Sequence, residues 1–180
     1  VDLKLLIGSS TSNKLENLFW TKKAFVPELS MAISLNSFLF IKSVNASKDP
    51  IQAKKDFIAG ADIKSFKGEK VGDFQPFSRK GHELLQKIED SKKPIVSAIH
   101  GTCYGLGVEL SLACKARVCS NDSKTKLALP EVKLGLLPGG GGTQRLPRLV
   151  GLQASLDMML TGKNIFPFKA KKIGLVDEVV

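Results

Sequence analysis

The hydrophobic pattern changes period along the chain, and each change marks an element. Phe38-Leu-Phe-Ile-Lys-Ser-Val44 is a short run of aromatic, aliphatic and β-branched side chains, as in a buried strand. The longer apolar stretch around it, 31–42, is interrupted by Asn36 and falls short of the about 18 apolar residues that a membrane span needs. Phe57-Ile-Ala-Gly-Ala-Asp62 reads as a short strand ending in a glycine turn. Over 73–90 the apolar positions Phe77, Leu84, Leu85 and Ile88 recur at helical spacing. Residues 94–100 are apolar or small almost throughout, as in a strand covered on both faces, and Gly101 ends it. The pattern then predicts a helix over 106–115, a short strand at 117–120 and an extended segment at 127–130. Helices near 152–161 and 168–173 and a closing strand at 175–180 follow. Ser9–Asn13 reads as a turn and 48–55 as a polar connection. Strands alternating with helices over short connections predict an α/β chain, and 180 residues suit one domain, 1–180, with one core.

Composition narrows the classes. With 43% hydrophobic residues and a mean hydropathy of +0.02, the chain reads as globular. Its formal net charge of +10 suits an anionic partner, whether nucleic acid, anionic membrane or a phosphate-bearing small molecule; it equally describes a lysine-decorated surface. No basic patch interleaved with aromatics is present, so nucleic acid is not the expected partner. Three cysteines without a C-x-x-C spacing argue against a disulfide framework and against a zinc site. Only two histidines, His82 and His100, are available, and no metal site is expected. No signal peptide is visible, and the first 25 residues hold no arginine, which disfavours a mitochondrial presequence. The expected setting is the cytoplasm, with the mitochondrial matrix as the alternative.

Two acidic residues stand beside glycine-rich backbone. Glu109 follows Gly105-Leu106-Gly107, where a loop tips into the helix predicted from residue 106. The N–H groups at such a helix start have no intrahelical acceptor, and with the helix dipole they favour a negative oxygen. Gly60 and Ala61, at the end of the 57–62 segment, leave their backbone N–H groups similarly open. One N–H from each turn would make a two-donor oxyanion hole. Glu131 follows Pro130 in an extended segment flanked by apolar residues; partial burial there would raise its pKa and let it carry a proton. Taken singly, each glutamate reads as a solvated or dipole-matched side chain, and each glycine pair as an ordinary turn. Gly139-Gly-Gly-Gly-Thr-Gln-Arg145 lacks the Lys-Ser/Thr ending of a P-loop and reads as a loop packed against a site. His100 reads as a core residue at a strand end, and Asp62 and Asp122 as turn residues.

Taken together the motifs resemble the crotonase (enoyl-CoA hydratase/isomerase) family. The resemblance rests on Phe-Ile-Ala-Gly-Ala-Asp-Ile-Lys64, Lys-Pro-Ile-Val-Ser-Ala-Ile-His-Gly101, the 105–109 turn, and the run from Leu129-Pro-Glu-Val-Lys-Leu-Gly through Gly-Thr-Gln-Arg-Leu-Pro-Arg148. Met-Leu-Thr-Gly-Lys163 and Ala-Lys-Lys-Ile-Gly-Leu-Val-Asp-Glu-Val-Val180 complete it. It covers 57–180 in one colinear order and is most like the hydratase domain of multifunctional fatty-acid oxidation complex α subunits; 1–52 match poorly. It implies a spiral of ββα units, assembled as a trimer-type homo-oligomer or within a β-oxidation complex. It implies that Glu109 and Glu131 flank a water that adds to a 2-enoyl-CoA thioester, with the backbone N–H groups of Ala61 and Leu106 as the oxyanion hole. Gly60, Asp62, Lys64 and Gly105 are implied as coenzyme A or substrate contacts. No cofactor is implied, because coenzyme A is part of the substrate.

The chain departs from the family pattern in three ways. Leu106 stands where the family has the middle of three glycines, and would cost about 1–2 kcal/mol if that position needed a positive φ. The first 52 residues do not follow the family's opening strands. The chain ends at Val180, where the family continues into helices that cover the acyl pocket, and the dehydrogenase domain of the multifunctional relatives is absent, so a C-terminally truncated spiral is expected. Two readings therefore stand beside hydration: Δ3,Δ2-enoyl-CoA isomerisation, which can run on one glutamate, and a non-catalytic acyl-CoA-binding fragment.

Overall fold

A computed structural model of the chain describes residues 31–35, 38–41, 56–60 and 74–180. The expected turn at 9–13 and connection at 48–55 lie outside the described residues, as do Ala61, Asp62 and Lys64. Strands β1 (Met31–Leu35) and β2 (Phe38–Ile41) lie on either side of Asn36 and pair antiparallel, Ala32 opposite Phe40. Helix α1 (Phe74–Glu89) leads to β3 (Ile95–Ile99), which joins β2 in parallel with Leu39 opposite Ile95. All five residues of β3 are buried, as the unbroken apolar run predicted.

After β3 the chain makes the short β4 (Thr102–Tyr104), helix α2 (Leu106–Ala113) and β5 (Ala116–Cys119), which lies parallel to β3 with Val96 opposite Ala116. Strand β6 (Lys126–Ala128) pairs in parallel with β4, and Ile58 bridges Cys103 on the other side of β4. A 3₁₀ turn, Pro130–Leu134, follows, then α3 (Gly142–Val150), α4 (Leu152–Thr161), α5 (Pro167–Lys172) and β7 (Glu178–Val179), which joins β5 in parallel. The described strands form one sheet in the order β1-β2-β3-β5-β7 and a second, β4-β6. This is a mixed α/β architecture with parallel crossovers, as the alternating pattern predicted.

The core lies where the helices meet these sheets. Val108, Leu110 and Leu112 of α2 pack with Ile95, Ile99, Leu127, Leu129, Leu146 and Met158, all buried. Val96, Ala98, Ala116 and Val118 form a smaller cluster, set off from Ile95 and Ile99 by the period-two alternation of β3. The closing strand is pinned from within. The Arg117 guanidinium, 7% exposed, pairs with Asp177 Oδ2 at 3.0 Å and donates to the Cys114 carbonyl at 2.9 Å. The three cysteines are buried and free, and burial pushes the thiols of Cys114 and Cys119 up to about 12.

Three local expectations are corrected. The Gly139–Gly142 tract is not loop throughout, because Gly142 opens α3; the helix was hidden by its glycine start and by the internal Pro147, both strong breakers in sequence. Pro130 and Glu131 leave the extended segment and turn into the 3₁₀ turn, where proline's fixed φ suits the first position. His100 is exposed rather than in the core, its Nδ1 2.9 Å from Ser120 Oγ. Asp122 is a turn residue as expected, its Oδ1 accepting from the Lys124 N–H at 2.7 Å.

Candidate active site

Three backbone segments meet at the start of α2 because glycine lets them. Gly105, the residue before the helix, has φ 51° and ψ −117°, a conformation that side chains resist. Its N–H donates to the Ala128 carbonyl at 3.0 Å, which ties the end of β4 to the end of β6. A Cβ on Gly105 would stand 2.8 Å from Glu131 Oε1 and 3.9 Å from the Gly60 Cα. A Cβ on Gly107 would stand 2.7 Å from the Ile58 carbonyl oxygen, so the first turn of α2 lies against the 56–60 segment. Tyr104 N–H donates to that same carbonyl at 2.8 Å. Gly60 itself has φ 119°. The chain leading into Ala61 therefore runs beside the Gly105 turn.

Leu106 opens α2, and the positive φ falls on Gly105, so leucine at this place carries none of the backbone strain that a positive φ would impose. As first residue of the helix it has an N–H with no intrahelical partner, and no acceptor for it occurs among the described residues. Its side chain is 40% exposed, and Cδ1 lies 3.2 Å from the place of a Gly140 Cβ.

Glu109 is not the solvated residue that a lone glutamate in a first helical turn suggests. It is 3% exposed. Its Oε1 accepts from the Gly140 N–H at 2.7 Å and from the Gly142 N–H at 2.9 Å. The glycine tract is thus a carboxylate cradle, its amides and the start of α3 directed at Glu109. Side chains would block it: a Gly140 Cβ would stand 2.6 Å from Glu109 Oε2, and a Gly142 Cβ 3.0 Å from Oε1. Burial pushes the Glu109 carboxyl above the ordinary range, opposed by the Gly142 and Gly140 amides and by the nearby His82 and Arg145.

Glu131 presents the opposite arrangement. It is half-buried, and its Oε2 is buried with no hydrogen-bond partner among the described residues. Burial raises its pKa, and the neighbouring Glu109 charge raises it further; its own backbone N–H works against both. Glu109 and Glu131 thus come to one place on either side of the Gly105-Leu106 turn, with Gly60 beside it. Sequence reasoning missed Arg145, which donates to the Gly140 carbonyl at 3.3 Å and pairs with Glu89. It stood in a quoted motif, but nothing local pointed to its partners. Among the described residues no group of His, Cys, Asp and Glu is placed to hold a metal ion, and no helix is long and apolar enough to cross a membrane.

Comparisons with known proteins place the chain in a family. The enoyl-CoA hydratase/isomerase family description matches residues 53–180. The fatty acid oxidation complex subunit alpha of Shewanella putrefaciens is 59% identical over 132 residues, 72% of this chain and 19% of that protein. That of Shewanella baltica is 51% identical over 169 residues, 92% of this chain and 23% of that protein. The chain therefore spans about a fifth of the length of these curated relatives. Among solved structures, the enoyl-CoA hydratase of Bacillus anthracis aligns with a TM-score of 0.73 at 27% identity, covering 85% of this chain and 70% of that one. The enoyl-CoA hydratase of Thermoplasma volcanium aligns with a TM-score of 0.71 at 26% identity, covering 85% and 71%. The fold is that of the crotonases, and the chain belongs to the enoyl-CoA hydratase/isomerase family.

Proposed function

We propose that this chain carries the 2-enoyl-CoA hydratase activity of a fatty-acid β-oxidation protein. The observation that carries the reading is the asymmetry of the two carboxyls: Glu109 Oε1 receives two amide donors, while Glu131 Oε2 is buried and receives none among the described residues. Hydrogen bonds to a carboxylate favour its charged form, and a buried oxygen without donors favours the protonated one. Glu109 is accordingly the base and Glu131 the acid. Glu109 takes a proton from the water between them as its oxygen bonds to C3 of the enoyl thioester. The electron pair of the double bond moves toward the thioester oxygen, and Glu131 delivers its proton to C2. The developing oxygen charge is met by the backbone N–H groups of Leu106 and Ala61, each such donor being worth about 10²–10³ in rate. We assign Gly60, Gly105, Asp62 and Lys64 as contacts to the thioester and coenzyme A on the strength of the family motif; coenzyme A is the substrate's own handle and takes the place of a separate cofactor.

Loss of the conjugated thioester absorbance of crotonyl-CoA tests the reading. The chain is expected to hydrate it, and Glu109→Gln and Glu131→Gln each to abolish hydration; an unchanged rate in either variant sinks the assignment. Migration of a Δ3 double bond that survives loss of one glutamate would instead identify an isomerase. One observation favours a second reading, an acyl-CoA-binding module without turnover: the Leu106 side chain is 40% exposed, with Cδ1 3.2 Å from the place of a Gly140 Cβ. It predicts binding without hydration, with turnover recovered in Leu106→Gly. We further propose assembly as a trimer-type homo-oligomer or a β-oxidation complex subunit, and a cytoplasmic setting in keeping with the bacterial relatives, the mitochondrial matrix being the alternative.

A further inference from the structure

The cradle around Glu109 is built of residues that cannot hold their own shape. Gly140 has no side chain to restrict it and Gly141 sits at φ 99°. Arg145 supplies the restraint. Its backbone N–H donates to the Gly141 carbonyl at 2.9 Å, and its guanidinium Nη1 donates to the Gly140 carbonyl at 3.3 Å and crowds the Gly141 backbone. The guanidinium is in turn held by Glu89, the last residue of α1, whose Oε2 accepts from Nε at 2.9 Å and pairs with Nη2 at 2.7 Å. On the other side of the Gly140 Cα, the Gly140 N–H reaches Glu109 Oε1 at 2.7 Å. Glu89, Arg145, Gly140 and Glu109 are therefore one relay from the end of α1 to the buried carboxylate in α2.

We propose that the Glu89–Arg145 ion pair is a positioning device for Glu109, fixing the Gly140 carbonyl so that the N–H of the same residue stays on the carboxylate. The pair adds little to stability by itself: the Glu89 side chain is 47% exposed, and such pairs are weak in water. Its worth is geometric. The fork of arginine reaches a carboxylate and a carbonyl at once, which lysine cannot do. Among the described residues, the charged and titratable groups that face Glu109 are His82 from α1, Arg145 from α3 and Glu131 from the 3₁₀ turn. Of these, Arg145 alone touches the cradle. Its cation and the amide it fixes both favour the ionised Glu109, so losing it moves Glu109 toward the protonated form.

The kinetic part of this inference rests on the hydratase reading; the structural part does not. The test is therefore double. Glu109 is titrated directly by carboxyl ¹³C NMR, its signal assigned by its absence in Glu109→Gln, and hydration of crotonyl-CoA is followed against pH. Arg145→Gln is expected to raise the Glu109 midpoint, move the acid limb of kcat upward, and lower kcat about ten- to a hundredfold with KM little changed. Arg145→Lys should recover part of the midpoint but little of kcat. Glu89→Gln, at the solvent end of the relay, should act in the same direction more weakly, and it decides the matter should Arg145→Gln fail to fold. Arg148→Gln removes a cation from the same helix that, among the described residues, reaches only the Gln144 carbonyl, and should change nothing. A Glu109 midpoint unmoved in Glu89→Gln and Arg145→Gln, or moved equally by Arg148→Gln, overturns the proposal. A shifted midpoint in a chain that never hydrates crotonyl-CoA would leave the positioning role standing and remove the hydratase reading. Hydration with an unmoved midpoint would do the reverse.

Discussion

Glu131 Oε1 lies 2.8 Å from the point that a Cβ on Gly105 would occupy. The Glu131 carboxyl thus lies so close to the start of α2 that a methyl on Gly105 would have to displace it. Gly105→Ala would meet two penalties at once, the contact with Glu131 and the strain of an L-residue at φ 51°, about 1–2 kcal/mol for the strain alone. Gly151→Ala carries similar strain at φ 82° with open space around its Cβ. Both variants should melt at lower temperature. Hydration should fall steeply only in Gly105→Ala, where the methyl displaces Glu131. Equal activity in the two would show that the close approach is not needed.

The two raised carboxyls set a pH dependence of stability. A glutamate whose folded pKa lies above its unfolded value of about 4.3 favours the native state while protonated. That contribution is fully present below the unfolded value and is lost as pH rises through the folded one. Burial raises both Glu109 and Glu131, so the wild-type chain gives up stability over this window as pH increases. Glu131→Gln, which never ionises, should therefore melt higher than wild type at pH 7–8 and no higher near pH 4, while losing about 10²–10⁴ in hydration. Thermal melts across pH read the sign directly. A variant less stable at neutral pH than at acid pH, relative to wild type, contradicts it.

Leu106 offers a way to delete a donor without disturbing a side chain that the chemistry uses. It is the first residue of α2, the helical position where proline fits best, because its missing N–H has no intrahelical acceptor. Leu106→Pro should retain the helix by circular dichroism and lose about 10²–10³ in kcat. Leu106→Gly keeps the N–H and clears the side chain beside Gly140, so it should hydrate at least as fast as wild type. If proline and glycine behave alike, this amide is not an oxyanion donor.

Asp177 anchors the closing strand through Arg117, accepting from its N–H at 2.7 Å and from Nη2 at 3.0 Å. Asp177→Ala leaves a guanidinium that is 7% exposed with, among the described residues, carbonyl partners alone. The cost should be about 1.5–3 kcal/mol, toward the lower end because the Asp177 side chain is 40% exposed. Urea unfolding should show a lower midpoint at unchanged slope. Activity at low temperature should survive, since neither residue touches the glutamates or the glycine cradle.

What was legible in the sequence is what each segment decides for itself. The unbroken apolar run gave β3, the 3.6-residue spacing gave α1, and α4 occupies Leu152–Thr161 as its pattern predicted. The glycine turn at 105–107 and the two glutamates were also visible, as residue types that suit acid/base chemistry. The burial of Glu109 was not, because a glutamate in a first helical turn is usually solvated, and only packing against α3 and the glycine tract removes the water. Nor was α3, since glycine and Pro147 are penalised by local propensity while the tertiary contacts of Leu146 override it. The Gly142 N–H and the carboxylate that receives it are separated by 33 residues, and Glu89 and Arg145 by 56. Periodicity reports the conformation of a segment within its own few turns. Which amide meets which carboxylate depends on chain closure over tens of residues, and that is fixed only when the core packs.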